Sequence, residues 1–245
     1  MSNVTVITGG TSGIGKAIVL KVLKHSQEGD KIIVNYGSNA ENAQKLIQGL
    51  TPSDQAKVYL IQADLSDYSE MTRFVSEVKA KTDHVDWLVL NTGIGTYLPF
   101  DEYDYELWEK VMRTNVNIPA FIVKGLQDVM AENGNIVFMG SHAGQVTYSS
   151  SIVYGVSKAA VHFLAQSLVK VFDKKRVSIN AIAPGFIETR WQENRTDESK
   201  ERINNKIAAH RFGTPEEVAS LCYEILSNDY LNGSIFDIHG GYAYF

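Results

Sequence analysis

The chain has 245 residues, 44% of them hydrophobic, enough to bury a sizeable core in one domain or two small ones. Its 23 basic and 28 acidic residues leave a formal charge of -5, which gives no electrostatic footprint for nucleic acid or an anionic membrane. The single cysteine, Cys222, cannot form an intrachain disulfide, and its neighbours Leu221, Tyr223, Ile225 and Leu226 place it on a buried helix face. The six histidines are dispersed without metal-ligand spacing, so no metal is expected. No basic segment leading into an apolar stretch opens the chain, and nowhere do about 18 apolar residues run without charge. The expectation is a cytoplasmic protein without a membrane span.

Short β-branched runs at 4–8, 31–35, 57–62, 87–91, 135–140, 177–183 and 234–238 read as strands. Between them, 14–25, 40–50, 68–80, 105–131, 153–172 and 215–226 carry the helical period. Mostly apolar strands alternating with helices predict a parallel sheet with both faces covered, because parallel pairing needs crossover connections. The expected fold is therefore a doubly wound α/β (Rossmann) domain with about seven strands. No Pro/Ser-rich linker, repeat or low-complexity tract interrupts 1–245, which reads as one domain. The stretch 186–212 is out of rhythm: charged, without a strand, and followed by Thr214, Pro215 and Glu217 in a capping-box pattern. It is a candidate substrate lid.

Directly after the first strand comes Thr8-Gly9-Gly10-Thr11-Ser12-Gly13-Ile14-Gly15, then the apolar-periodic helix. Glycines let the backbone turn tightly and approach a pyrophosphate, and the helix start behind them offers unpaired N–H groups and a positive dipole end. The spacing of Gly9, Gly13 and Gly15 departs from G-x-G-x-x-G and resembles the cofactor turn of the short-chain dehydrogenase/reductase family. Further landmarks follow in order. Asp64-Leu65 resembles the family's acidic site near the adenine, and a helix cap is a second role that fits Asp64. Asn91-Thr92-Gly93 resembles its Asn-Asn-Ala-Gly, with Leu90 for the first Asn and Thr92 for Ala. Pro184-Gly185-Phe186-Ile187-Glu188-Thr189 resembles the segment that holds the nicotinamide carboxamide; Thr189 fits that role or an N-cap. Asn232-Gly233-Ser234 and His239-Gly240-Gly241 resemble the last strand, with His239 where Asp is usual.

In Tyr154-Gly155-Val156-Ser157-Lys158 the tyrosine and lysine share a helix face, so the ammonium can sit beside the phenol. A phenol with an ordinary pKa of about 10 is lowered by a neighbouring cation and a positive nicotinamide ring, making it usable as an acid/base. Ser141 precedes Tyr154 at the family's separation, and Asn115 in Thr114-Asn115-Val116 resembles its fourth catalytic member. The resemblance implies that Tyr154 exchanges a proton with the substrate oxygen, Ser141 hydrogen-bonds that oxygen, and Asn115 helps hold a water linking Lys158 to solvent. An interhelix hydrogen bond is a second role that fits Asn115. His142, adjacent to Ser141 on a strand end, points to the other side.

The function implied is a nicotinamide-dependent oxidoreductase acting on a small ketone or secondary alcohol. The expected cofactor contacts are Gly9, Thr11, Ser12, Gly13, Ile14, Gly15, Asn35, Tyr36, Ser38, Asn39, Asp64, Leu65, Asn91, Gly93, Tyr154, Lys158, Pro184, Gly185, Ile187 and Thr189. Ser141, Gln145, Tyr148, Tyr154, Phe186 and Trp191 are expected around the substrate, with Tyr97 and Phe100 nearby. Residues 35–39 carry no carboxylate to repel a 2′-phosphate, so NADP(H) is expected over NAD(H). A 3-oxoacyl carrier-protein reductase is an alternative that needs basic residues to meet an acidic carrier, whereas Asp128 and Glu132 stand before the fifth strand and Lys174, Lys175 and Arg176 lie elsewhere; a non-enzymatic dinucleotide sensor is an alternative of another class. Surplus apolar residues on 105–131 and 153–172, including Ile118, Phe121, Ile122, Phe163 and Leu164, suggest a homodimer or homotetramer.

Overall fold

A computed structural model describes residues 2–96, 98–147 and 151–242. In chain order the elements are β1 Val4–Ile7, α1 Gly13–His25, β2 Lys31–Tyr36, α2 Ala40–Gln48, α3 Pro52–Gln55, β3 Val58–Gln62, α4 Tyr68–Lys81 and β4 Val85–Leu90. Then follow α5 Tyr105–Met112, α6 Ile118–Leu126, β5 Met130–Met139, α7 Ile152–Leu168, β6 Ser178–Pro184, α8 Asp197–Asn204, α9 Pro215–Leu226 and β7 Ile235–Ile238. The seven strands form one sheet in the order β3-β2-β1-β4-β5-β6-β7, and every pair is parallel.

Alternate side chains of these strands feed two separate cores. On one face Val6, Ile33, Leu88, Ile136 and Ile179 pack with Phe74 of α4, Ile122 of α6 and Val161 of α7. On the other, Ile7, Val34, Val89, Val137 and Ile182 pack with Ile18 of α1, Leu46 of α2 and Cys222 of α9. Burial on both faces explains why the strands read as near-continuous apolar runs. Cys222 is fully buried, which pushes its thiol up to about 12 and removes it from thiolate chemistry. Thr214 and Glu217 complete the capping box at the start of α9. Arg211 beside Glu217 holds that carboxyl down at about 2.

Because β1 lies between β2 and β4, the chain order reverses there. The loops after β1 and β4 diverge and leave a crevice at the carboxyl ends of the strands.

One expectation is corrected by the helices. The helix expected over 105–131 ends at Leu126 and is not regular throughout: a π-helical turn, Arg113–Asn117, joins α5 to α6, and the sheet is rejoined by Met130. The π turn adds one residue without ending the helix, and Arg113–Asn117 contains no Gly or Pro to mark it in the sequence. The helical run Ile152–Lys175, α7 plus a 3-10 extension, is long and apolar enough by length and composition to cross a membrane, although Lys158 and Lys170 interrupt its apolar residues. Its Val161 and Ala165 pack with Ile136 and Ile179 of the sheet.

Candidate active site

The glycine-rich turn follows β1 as the sequence predicts. Gly9 and Gly13 take positive φ angles of 62° and 50°, which L side chains rarely adopt. A Cβ on Gly15 would lie 2.2 Å from the Gly9 carbonyl oxygen, so the helix start can approach the turn only with glycine there. Asn35 is buried beneath this turn. Its Oδ1 accepts from Gly9 N–H at 3.2 Å, while Nδ2 donates to the Ala63 carbonyl at 3.0 Å. Asn35 thus braces the turn from below, where contact with a cofactor had been expected.

Asn91 ties the neighbouring loop to the same turn. Its backbone N–H donates to Thr8 Oγ1 at 2.9 Å, and its Nδ2 donates to the Thr8 and Gly9 carbonyls, both at 3.2 Å. Thr8, which sequence reasoning passed over as the end of a strand, is therefore the hub joining the two loops. Thr92 Oγ1 is buried nearby without a partner. At Gly93 an added Cβ would stand 3.3 Å from Asn115 Oδ1 and 3.4 Å from Lys158 Nζ.

These pieces line a cleft of about 350 Å³ with Gly9, Ser12, Gly13, Ile14, Asn91, Gly93, Ser141, Tyr154, Lys158, Pro184, Gly185, Ile187 and Thr189, all of them candidates from sequence. Thr92, Met139, Gly140, Arg190 and Gln192 line it too and were missed. The glycine cradle, the positive end of α1 and the unpartnered Thr92 hydroxyl suit a dinucleotide.

The remaining candidates lie around or under the cleft. Thr11 is buried, and Leu65 has its side chain in the core, leaving its backbone for contact with a cofactor. Tyr36 ends β2 and Ser38 and Asn39 follow it; Asn39 spends its side-chain oxygen capping α2 through Asn42 N–H. Asp64 accepts from Ser66 N–H at 3.0 Å, whereas Asp67 caps α4, so Asp64 is no helix cap. Thr189 precedes a short 3-10 turn without capping it, and Thr196 caps α8 instead.

The four catalytic candidates converge. Lys158 on α7 is 4% exposed; its Nζ donates to the Met139 carbonyl at 2.7 Å and lies 5.6 Å from the Tyr154 ring centre. Burial pushes this amine down to about 8. Ser141 follows β5, and its Oγ accepts from Ala143 N–H at 3.2 Å, which fixes the turn that presents it. Behind that turn His162 is buried, and its Nε2 accepts from Ser141 N–H at 3.4 Å. Burial lowers His162 to about 4, with the charge of Lys158 adding to the effect.

Asn115 stands on the π turn. Its Oδ1 accepts from Ile94 N–H and its Nδ2 donates to the Ile94 carbonyl, both at 2.8 Å; Nδ2 also donates to Ser157 Oγ at 2.9 Å. The interhelix bond and the structural brace both exist, and Oδ1 keeps one lone pair for a water.

A second cavity, about 290 Å³, adjoins the cleft and shares Ser141, Tyr154, Pro184, Gly185, Trp191 and Gln192 with it. Phe186 lines it as expected, and the rings of Trp191 and Tyr154 lie 5.4 Å apart. Gln145 departs from expectation: its Oε1 lies 3.1 Å from His142 Nδ1, and it is absent from the cavity wall. Phe100 is 61% exposed and also away from it. Tyr97 and Tyr148 fall outside the described residues. Thr96, Ser151, Arg195, Arg202, Lys206 and Tyr242 line the cavity and were missed. Loop and lid residues of this kind carry no local motif.

His142 is buried with its ring against His239 at 4.4 Å and its Nδ1 3.9 Å from Asp237 Oδ1. Burial lowers its pKa, so it stays neutral at physiological pH. Ligand-capable atoms of His142, Asp237 and His239 lie within 4.8 Å of one another, a grouping hidden in sequence because β5 and β7 bring it together.

Comparison with known proteins agrees with this geometry. A family model described as short chain dehydrogenase matches residues 3–200. The 3-oxoacyl-[acyl-carrier-protein] reductase FabG of Thermotoga maritima is 31% identical over 97% of this chain and 96% of its own length. The Aquifex aeolicus protein of the same name is 29% identical with the same coverage. A blue fluorescent protein from a metagenomic library, solved in complex with NADPH, superposes with a TM-score of 0.89 at 25% identity over 98% of both chains. The chain belongs to the short-chain dehydrogenase family and is an NAD(P)-dependent oxidoreductase acting on carbonyl or alcohol groups.

Proposed function

We propose that this protein interconverts a small ketone and a secondary alcohol, with Tyr154 as acid/base and NADP(H) favoured over NAD(H). The observation that carries this is the position of Ser141 and Tyr154 on the wall shared by the two cavities, with Lys158 on the dinucleotide side only. A bound nicotinamide supplies or accepts the hydride. In reduction, Tyr154 Oη gives its proton to the substrate oxygen while Ser141 Oγ donates a hydrogen bond to the same oxygen, stabilising developing charge. The Lys158 ammonium, protonated at neutral pH, lowers the cost of phenolate on Tyr154 and restores the lost proton. Asn115 holds the loop at Ile94 and lends Oδ1 to a water on the path from Lys158 to solvent. In oxidation the proton runs the other way.

The cofactor preference rests on the end of β2, where Tyr36, Gly37, Ser38 and Asn39 carry no carboxylate. Glu41, the first acid beyond, is paired with Lys45 at 2.7 Å. Arg190 lines the cleft and adds to the effect of Lys45 in lowering the Glu41 pKa, so a cation stands on that side. Residues 186–212 act as the lid of a single catalytic domain spanning 1–245. Tyr105, Val156 and Phe163 on α5 and α7, 90%, 43% and 74% exposed, supply an apolar face for a homodimer or homotetramer, and the protein works in the cytoplasm.

The carrier-protein reductase reading has the named relatives in its favour. Against it, Lys175 spends its ammonium on the Gln127, Asp128 and Met130 carbonyls, and Arg176 pairs with Glu132, so two of the three residues of the basic run are engaged within the chain. A spectrophotometric screen of ketones, sugars, steroids and acyl thioesters with NADPH and NADH tests the proposal. Oxidation of NADPH by any carbonyl supports it; dinucleotide binding without turnover on the whole panel would favour the sensor reading instead.

A further inference from the structure

Among the described residues, the charged side chains on the wall of the substrate cavity are all basic. Its wall carries Arg195, Arg202 and Lys206, and no Asp or Glu among the described residues lines it. This is uneven for a chain with 28 acidic and 23 basic residues. It is also uneven for the lid, where Glu188, Glu193, Asp197, Glu198 and Glu201 are interleaved with the cations in sequence yet lie off the cavity wall. The fold therefore sorts the charges of this segment.

The way the sorting is achieved can be followed residue by residue. Ile203 and Ile207 are buried with Phe212 against Phe186 and Tyr242, which seats α8 and the residues after it on the cavity. Arg202, beside Ile203 on α8, and Lys206, beside Ile207 just past the end of α8, are thereby carried to the cavity wall. Of the other lid arginines, Arg190 lies 3.9 Å from Glu193 and Arg211 pairs with Glu217 at 2.6 Å. Arg202 and Lys206 form no ion pair among the described residues. Arg195 is held differently. Its guanidinium lies 5.4 Å over the Phe186 ring, its Nε donates to Gln192 Oε1, and its Nη1 reaches Ser199 Oγ at 3.5 Å. Stacking on an aromatic wall orients the planar donor fork and keeps it poorly hydrated.

We propose that the substrate is an anionic carbonyl compound, whose carboxylate or phosphate is held by Arg195, Arg202 and Lys206 while its carbonyl meets Ser141 and Tyr154. This rests on the oxidoreductase reading of the site. Charge-assisted hydrogen bonds from a fixed guanidinium discriminate an anion from its neutral ester, and exposed partners make the discrimination salt-sensitive.

The test compares matched pairs: 4-oxopentanoate with its methyl ester, and dihydroxyacetone phosphate with dihydroxyacetone. The anion of at least one pair should show a kcat/KM about tenfold or more above its neutral partner at low salt, with the gap closing between about 20 and about 500 mM NaCl. Preference within the first pair points to a carboxylate, within the second to a phosphate. Arg202→Gln and Lys206→Gln should each shrink the ratio, and the double variant should erase most of it. In parallel, isothermal titration of 4-oxopentanoate and of dihydroxyacetone phosphate, with and without NADP+, reads binding without turnover. Equal kcat/KM for anion and neutral partner in both pairs, with no salt-dependent heat, overturns the proposal while leaving a working reductase. Salt-dependent anion binding that the double variant abolishes, without reduction of any compound, supports the anion site and counts against the ketone–alcohol reading of Ser141 and Tyr154.

Discussion

Lys158 is the residue where catalysis and stability pull in opposite directions. Holding its buried amine near 8 rather than its ordinary 10.5 costs the folded, cofactor-free protein roughly 3 kcal/mol at neutral pH. Lys158→Met keeps the volume of the side chain but removes that cost. The Met139 carbonyl then loses its donor, which returns roughly 1–2 kcal/mol, so the variant should be more stable by about 1–2 kcal/mol at pH 7. The sign of the pH dependence follows from the two states. The unfolded chain keeps the lysine proton up to about 10.5 and the folded chain only up to about 8, so wild-type stability rises across that window, by up to about 1.4 kcal/mol per pH unit. The methionine variant lacks this increment, and its advantage should shrink and reverse toward pH 10. Urea unfolding of both proteins from pH 7 to 10 reads the difference directly. A constant offset between them over that range would refute the burial argument. The variant should at the same time lose most of its turnover, as expected where activity requires a destabilised group.

His162→Gln should remove an acid-side instability. The folded protein refuses the His162 proton until about pH 4, while the unfolded chain accepts it at about 6.5, so stability falls as pH drops through that window, by roughly 3 kcal/mol at most. Thermal melts from pH 7 to 4 should show the variant with the shallower decline; parallel curves would count against it. Light scattering at micromolar concentration should give the mass of two or four chains, and Phe163→Glu should shift it toward one chain; a wild-type monomer contradicts the apolar-face reading. With one carbonyl substrate at fixed ionic strength, kcat/KM should favour NADPH modestly; a preference for NADH of about tenfold or more, on the order of 1.4 kcal/mol, would reverse the cofactor assignment.

The sheet and the glycine turn were legible because their physics is local: apolar runs that hide both faces, and a turn whose positive φ values at Gly9 and Gly13 demand glycine. Ser141, Tyr154 and Lys158 were legible because one helix and one strand end carry them at fixed spacing. What escaped depends on tertiary packing. The π turn at Asn115 carries no helix-breaking residue, and the bracing role of Asn35 is made with Gly9 and Ala63, which follow two other strands. The substrate wall is drawn from loops after β4 and β5, the lid and the C-terminal segment, so residues such as Arg202 and Tyr242 meet only in the fold. The grouping of His142, Asp237 and His239 is hidden for the same reason.

The central claim is that Tyr154 carries the proton between protein and substrate oxygen. It is tested most directly by Tyr154→Phe, assayed by NADPH consumption on the best substrate of the screen alongside NADPH binding. Removal of the phenolic hydroxyl should lower turnover by about two to four orders of magnitude while leaving dinucleotide affinity nearly unchanged. Retention of more than about a tenth of wild-type turnover, with chemistry shown to be rate-limiting, would contradict it.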